Sequence, residues 1–342
     1  MVLQSELPFR MLVRRHDCPF CYSPMVPAKA FLALPVDGDP IDPRTGGPAT
    51  QSAYFTTCEA DRPLAVQLGG ADPAEMLAAA LLLQDRGVDC IDVNLGCPQQ
   101  CAQTGGYGAF LLDEPERTRE IVATLVEGLH IPVTAKVRIM PNVEDTIAFA
   151  KMLEDAGVAA LAVHGRRREQ RHHEGPASWE QIAAVKAALR IPVISNGNIR
   201  SKADVEACLQ ETNCDCVMSA KGLLSNPRLF VEDDIRHFTT NKMRRLDAKR
   251  RAEVALEYLD ECVRHGDGCL PKMISDHLLE ILAPDLERKF NADLKKEIKD
   301  HRKTTRPQQF ASLVRRVQSN VAFAVAVNGR EEAGVMPFPF PA

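Results

Sequence analysis

From residue 64 onward the chain alternates short apolar runs with longer helix-patterned stretches, and this rhythm restricts the fold more than any other feature. "LAVQLGG" leads into "DPAEMLAAALLLQDRG", where Asp72 is placed as an N-cap and Pro73 at the first helical position. "CIDVNLG" follows, then a helix expected from about Asp113 to Glu127. "IPVTAKVRI" precedes the helix "VEDTIAFAKMLEDAG", closed by Gly157. "VAALAVHG" leads to a helix over about Ser178 to Leu189, "IPVISNGN" to "SKADVEACLQE", and "CDCVMSAKG" toward "NPRLF". The runs are nearly all apolar rather than alternating, which suits a parallel sheet buried on both faces. With "CPFCYSPMV" as an early strand the count is seven, whereas a closed barrel needs eight. The expected fold class is therefore α/β, a (β/α)8 TIM barrel whose first strand is missing or reduced to a stub before "MVLQSELPFR". A doubly wound open sheet is the alternative, but no GxGxxG follows the first clear strand.

Beyond about residue 240 the rhythm stops and helix-forming, Lys/Arg-rich segments take over. The expected organisation is a catalytic barrel over 1–235, a small helical domain over 236–330, and a disordered tail over 331–342. The formal charge of −4 hides an asymmetry, because residues 241–330 hold about 19 Lys/Arg against about 13 Asp/Glu. A net-basic segment on an acidic chain points to a nucleic-acid or phosphate-bearing partner. Eleven cysteines, an odd number with no signal peptide ahead of them, read as reduced thiols in a reducing compartment. The expected location is cytoplasmic, with nuclear and organellar sites left open. No apolar run approaches the roughly 18 residues that cross a bilayer.

In a barrel the active groups lie at the carboxyl ends of the strands. Those ends carry Gln67, then Asn94-Leu95-Gly96-Cys97, Lys136 with Arg138, His164-Gly165-Arg166, Asn196-Gly197-Asn198, and Ala220-Lys221-Gly222. Nearly every strand ends in a polar or cationic group plus glycine. The last two sets resemble a phosphate cradle of backbone N–H groups backed by a lysine. Such a cradle, with Lys136 and Gln67 opposite, points to flavin mononucleotide.

"DVNLGCPQ…GGYGAFLL", "AKVRI", "VHGRRREQ", "ISNGNI" and "VMSAKGLLSNP" stand in the order found in the tRNA-dihydrouridine synthases, and the chain resembles that family. "SELPFRML", "CYSPM" and "GCPQ" are most similar to its eukaryotic branch acting on D-loop positions sixteen and seventeen. The resemblance implies an FMN-dependent reduction of the uracil C5–C6 bond in tRNA, with NADPH or NADH as reductant. It implies Cys97 as the catalytic residue. It implies Met1, Val2, Gln67, Lys136, His164, Asn196, Gly197, Asn198, Ala220 and Lys221 as flavin contacts, and Asn94, Arg138 and Arg166 as substrate contacts. The partner it implies is tRNA, through the basic helical domain. No metal and no membrane are expected, and a monomer is favoured.

Hydride delivered to uracil C6 leaves C5 in need of a proton. A thiol of pKa about 8.5 is protonated at neutral pH and can supply it. Cys97 should then stay away from the cations Lys136 and Arg138, which would lower its pKa. The glycines of "GGYG" would give a loop with room to move and backbone able to approach RNA closely.

Less specific readings stand beside these. Cys101 is taken as structural. Cys18-x-x-Cys21 and Cys214-x-Cys216 lack a second ligand pair for zinc, and Cys21 and Cys216 fall in strands, so core packing is expected of both. His172 and His173 read as a solvated loop. Two other functions compete with the tRNA reductase: a flavin barrel acting on a small free pyrimidine, and a non-catalytic tRNA-binding protein.

Overall fold

The computed structural model describes residues 4–36, 50–170, 174–231, 241–265, 270–301 and 307–332. Eight strands form one all-parallel sheet: β1 (Cys21–Tyr22), β2 (Val26–Pro27), β3 (Leu64–Gly69), β4 (Cys90–Leu95), β5 (Val133–Arg138), β6 (Leu161–His164), β7 (Val193–Asn196) and β8 (Cys216–Met218). The order is β1-β3-β4-β5-β6-β7-β8, with β2 also on β3. β1 registers at Leu64 and β2 at Leu68, so both occupy one place beside β3. The single early strand expected from sequence is interrupted between them by Ser23-Pro24-Met25, where a proline removes a backbone donor. β8 and β1 stand at the two ends of the order and are not paired with each other among the described residues. The barrel architecture is thus borne out, as a curled parallel sheet left open between those strands. β3 and β4 are buried along all six residues each, as their continuous apolar runs require.

Helices alternate with the strands. α1 (Leu7–Arg15) and α2 (Ala28–Leu32) precede β3, and α3 (Pro73–Asp85) follows it. The Asp72 carboxylate accepts from the Glu75 amide at 2.9 Å, the expected N-cap. α4 (Gln100–Thr104) and α5 (Pro115–Gly128) follow β4. Gly108–Asp113 winds as tight 3-10 turns, so α5 begins later than expected, with Pro115 in its first turn. α6 (Val143–Asp155), α7 (Trp179–Ala188), α8 (Lys202–Thr212) and α9 (Lys221–Ser225) complete the barrel's repeat. Beyond them run α10 (Asn241–Arg264), α11 (Pro271–Ile281), α12 (Ala283–Leu286), α13 (Ala292–Asp300) and α14 (Pro307–Glu332), with α10 packed along α14 and α1. The tail expected from 331 first continues α14 to Glu332 and otherwise lies outside the described residues, as do His172 and His173.

One apolar core runs through strands and C-terminal helices alike, joining Leu64 and Ile91 to Tyr258, Leu278 and Phe310. Polar joints reinforce it at α1. The Arg10 guanidinium donates from Nε and Nη2 to Asp61 Oδ2 at 2.9 and 2.8 Å, and Arg14 Nε donates to Oδ1 at 3.0 Å. Glu6 accepts from the Tyr258 hydroxyl at 2.7 Å and pairs with His277 Nε2 at 2.9 Å, tying the start of α1 to α10 and α11. Burial alone would raise the pKa of Glu6, but the charge and hydrogen bond of His277, with the Tyr258 hydroxyl, hold it low.

Cys21 is buried, as expected, and its sulfur lies 3.9 Å from that of Cys18. Cys216 contradicts its expected place in the core: it is exposed. Its strand β8 is the free edge of the sheet, so the side that a further strand would cover is open. Among the described residues no helix is long and apolar enough to cross a membrane, and no cluster of three or more His, Cys, Asp or Glu could hold a metal.

Candidate active site

Strand register brings the polar strand ends into one row. Gln67 pairs with Asp92, Asn94 with Lys136, Arg138 with His164, and His164 with Asn196. Side chains two apart on a strand share a face, so Asp92 with Asn94, and Thr134 with Lys136 and Arg138, line the same concave side.

A chain of short hydrogen bonds crosses this face. Thr134 Oγ1 donates to Asp92 Oδ1 at 2.7 Å, and Gln67 Nε2 donates to Asp92 Oδ2 at 2.7 Å. Asn94 Nδ2 donates to Gln67 Oε1 at 2.7 Å. Asn94 Oδ1 then accepts from the amides of Gly96 at 3.2 Å and Cys97 at 2.9 Å. The loop carrying Cys97 is held from its other side by Ala109 N, which donates to Cys97 O at 2.9 Å. Gly108 sits at φ 68°, and a methyl group there would stand 2.6 Å from that same carbonyl. The aromatic ring of Tyr107 closes over Gly105. Gly105 and Gly108 are therefore a packed buttress under Cys97 rather than the roomy loop expected, because a methyl group at either would strike an atom already in place; at Gly106 the nearest atom is 3.9 Å away and it is the φ of 63° that calls for glycine.

The Cys97 thiol is half-buried. Burial pushes its pKa up, while the Gln99 backbone and the Arg138 charge pull it partly back, and the net shift is upward. It is a neutral S–H at pH 7. The expected distance from Arg138 is not observed: Arg138 Nε donates to Gly96 O at 2.7 Å, next to the thiol's residue. Burial outweighs that charge.

Cations gather beside the thiol. Burial and the neighbouring Arg138 lower Lys136 to about 8, against the pull of Asp92. Burial and the charges of Lys136, Arg138 and Arg166 drive His164 far below the usual imidazole range. His164 is therefore neutral, and its Nε2 accepts from Arg166 Nη1 at 3.3 Å. Arg166 is itself buried, with Nε on Gly175 O at 3.1 Å and Nη2 on Asn198 Oδ1 at 3.0 Å. Among the described residues none of Lys136, Arg138 and Arg166 forms an ion pair with a carboxylate. Asp92 and Glu169 act on Lys136 and Arg138 only from a distance, and like charges crowded without a direct partner mark a place for an anion.

The Asn196-Gly197-Asn198 turn closes one wall. Asn196 Nδ2 donates to Met218 O at 2.8 Å, and Gly197 adopts φ 119°, where a methyl group would lie 2.5 Å from Ala177. Asn198 accepts from Ala177 N and donates to Ala177 O, both at 3.0 Å. Ala220 and Lys221 open α9, but the Lys221 side chain is exposed and its Nζ lies 4.0 Å from Glu280. Met1 and Val2 lie outside the described residues. The structure thus gathers Gln67, Asn94, Cys97, Lys136, Arg138, His164, Arg166 and the 196–198 turn, and turns Lys221 outward. Asp92 and Thr134 were not singled out from sequence. The only signal was an acid in the middle of an apolar strand, "CIDVNL".

The sequence profile described as "Dihydrouridine synthase (Dus)" matches residues 1–322. A rat protein named tRNA-dihydrouridine(16/17) synthase [NAD(P)(+)]-like is 46% identical over 231 residues, 67% of this chain and 50% of that protein. The Schizosaccharomyces pombe tRNA-dihydrouridine(16/17) synthase [NAD(P)(+)] is 39% identical over 287 residues, 83% of this chain and 68% of that protein. A human tRNA-dihydrouridine(20a/20b) synthase [NAD(P)+]-like protein is 36% identical over 234 residues, 68% of this chain and 69% of that protein. The chain spans about half the length of the rat and mouse relatives it matches.

Proposed function

Because this chain belongs to the dihydrouridine synthase family, we propose that it reduces the C5–C6 bond of a D-loop uridine in tRNA to dihydrouridine, drawing on FMN and NAD(P)H. The observation that carries the reading is a neutral, half-buried thiol on a tightly held loop, at the edge of a set of cations with no direct carboxylate partner. The donor set fits a flavin: the amides of Gln67 and Asn196, the Lys136 ammonium, neutral His164, and the Gly197-Asn198 and Ala220-Lys221 turns offer partners for its ring edge and phosphate. Bound FMN would supply hydride to uracil C6. Cys97 Sγ–H would hand its proton to C5, and a thiol with a raised pKa gives it up only as negative charge develops on the pyrimidine. Arg138 and Arg166 hold positive charge at the mouth for RNA phosphate, and Asn94 keeps the loop seated beneath the base. A stacked uridine must leave its neighbours to arrive there. The helices beyond residue 240 are assigned the grip on tRNA, the protein acting as a monomer in the cytoplasm.

The test incubates the chain with FMN, NADPH and transcribed tRNA, and counts dihydrouridine by mass spectrometry. Wild type should be yellow and form it, while Cys97→Ala should stay yellow and lose at least about a hundredfold in rate. Full activity in that variant would remove Cys97 as the acid. A colourless wild type that still binds tRNA would turn the reading toward a non-catalytic binding protein.

A further inference from the structure

We infer that Asp92 is the positioning residue for the catalytic loop, fixing the amide orientations of Gln67 and Asn94 and, through them, the backbone of Cys97. The inference rests on the proposed role of Cys97. Asp92 is wholly buried, and Thr134, Gln67 and Asn94 are each under 10% exposed, so water does not compete for these bonds. The three side-chain bonds are all 2.7 Å, the short end of the usual range. Burial raises the Asp92 pKa, and the bonds from Gln67 and Thr134 with the charge of Lys136 work against that rise.

The direction of the chain is what needs an anchor. A carboxamide can rotate by half a turn and exchange its donor for its acceptor at little steric cost. If Gln67 did so, its NH2 group would face the NH2 group of Asn94. Asn94 would then rotate too and present its own donors to the Gly96 and Cys97 amides, which need an acceptor. A carboxylate that receives a donor on each oxygen, as Asp92 does from Gln67 and Thr134, only accepts. Asp92 therefore holds Gln67 with nitrogen inward and oxygen toward Asn94, and Asn94 with oxygen toward the loop. Thr134 holds the other carboxylate oxygen and stops the acid from turning. The bonds link residues on β3, β4 and β5 and end on the peptide that carries the thiol. Asp92 touches none of the reacting atoms.

The experiment uses the full chain as wild type, Asp92→Leu, Thr134→Val and Asp92→Asn, with folding checked by circular dichroism. Cys97 alkylation by iodoacetamide is followed by peptide mass spectrometry, and Cys101, four residues along the same peptide, serves as the internal reference. The ratio of the two rates should shift by about threefold or more in Asp92→Leu and Thr134→Val, and kcat on tRNA should fall about tenfold or more with KM nearly unchanged. In Asp92→Asn the amide can present either its oxygen or its nitrogen to Gln67, with the Thr134 hydroxyl satisfying whichever atom remains, so the direction is lost and the ratio should shift as it does in Asp92→Leu. If Asp92→Leu does not fold, Thr134→Val, which loses the bond to Asp92 and a weak 3.5 Å contact with Cys90 Sγ, still decides. An unchanged ratio in the folded variants overturns the inference, and so does a wild-type ratio in Asp92→Asn. The alkylation ratio needs no turnover, so it stands whether or not wild type proves active on tRNA.

Discussion

Lys136 is a buried side chain whose charge state changes near physiological pH. Burial and Arg138 bring it down to about 8, and Asp92 keeps it from falling further. An anion bound beside it favours the protonated form, so binding must raise its pKa, and by linkage affinity must fall as pH climbs above the free-state value. The proposed FMN should therefore bind the apoprotein equally well below about pH 7 and lose up to tenfold in affinity per pH unit above about 8. Fluorescence titration across that range would read it, and Lys136→Met should bind more weakly with a flat profile. The residue-scale chemistry was legible only in part. Cys97 and Lys136 stand at strand ends and announce themselves. Asp92 does not, because its partners Gln67 and Thr134 lie 25 and 42 residues away on other strands. Only the register brings them together.

At the scale of elements, the helices of the repeat were readable where a local signal fixes them, as Asp72 fixes the start of α3 and Gly157 the turn after α6. The joint at α1 was not. Glu6 meets Tyr258 and His277 across 252 and 271 positions, and no periodicity records such a contact. The neighbouring Arg10–Asp61 pair is nearly solvent-free, with side chains 1% and 0% exposed. Removing the negative charge leaves a guanidinium in the core without its counter-ion. Asp61→Asn should cost about 3–5 kcal/mol in urea unfolding, whereas an exposed pair such as Lys249–Glu253 should contribute under about 1 kcal/mol. α1 would then detach from the loop that leads into β3, loosening the sheet's first neighbour pair.

At the scale of the molecule, the described residues form a curled sheet with two ends, backed by the C-terminal helices. Its fold class followed from the apolar runs, but which strand would stand at an end did not, since β8 reads from its residues like any interior strand. The distinction is visible in thiol access. In the native protein Cys216 and Cys101 should react with a maleimide within minutes, while Cys90, Cys208 and Cys262 should stay protected until denaturant is added. Labelling of Cys216 at the protected rate would mean that β8 is covered in solution. The cations at the mouth carry a different consequence for the molecule as a whole. Lys136, Arg138 and Arg166 repel one another across a desolvated space. Any phosphate or sulfate that settles among them relieves that repulsion in the native state alone, so the temperature at which this protein melts belongs to the buffer as much as to the chain.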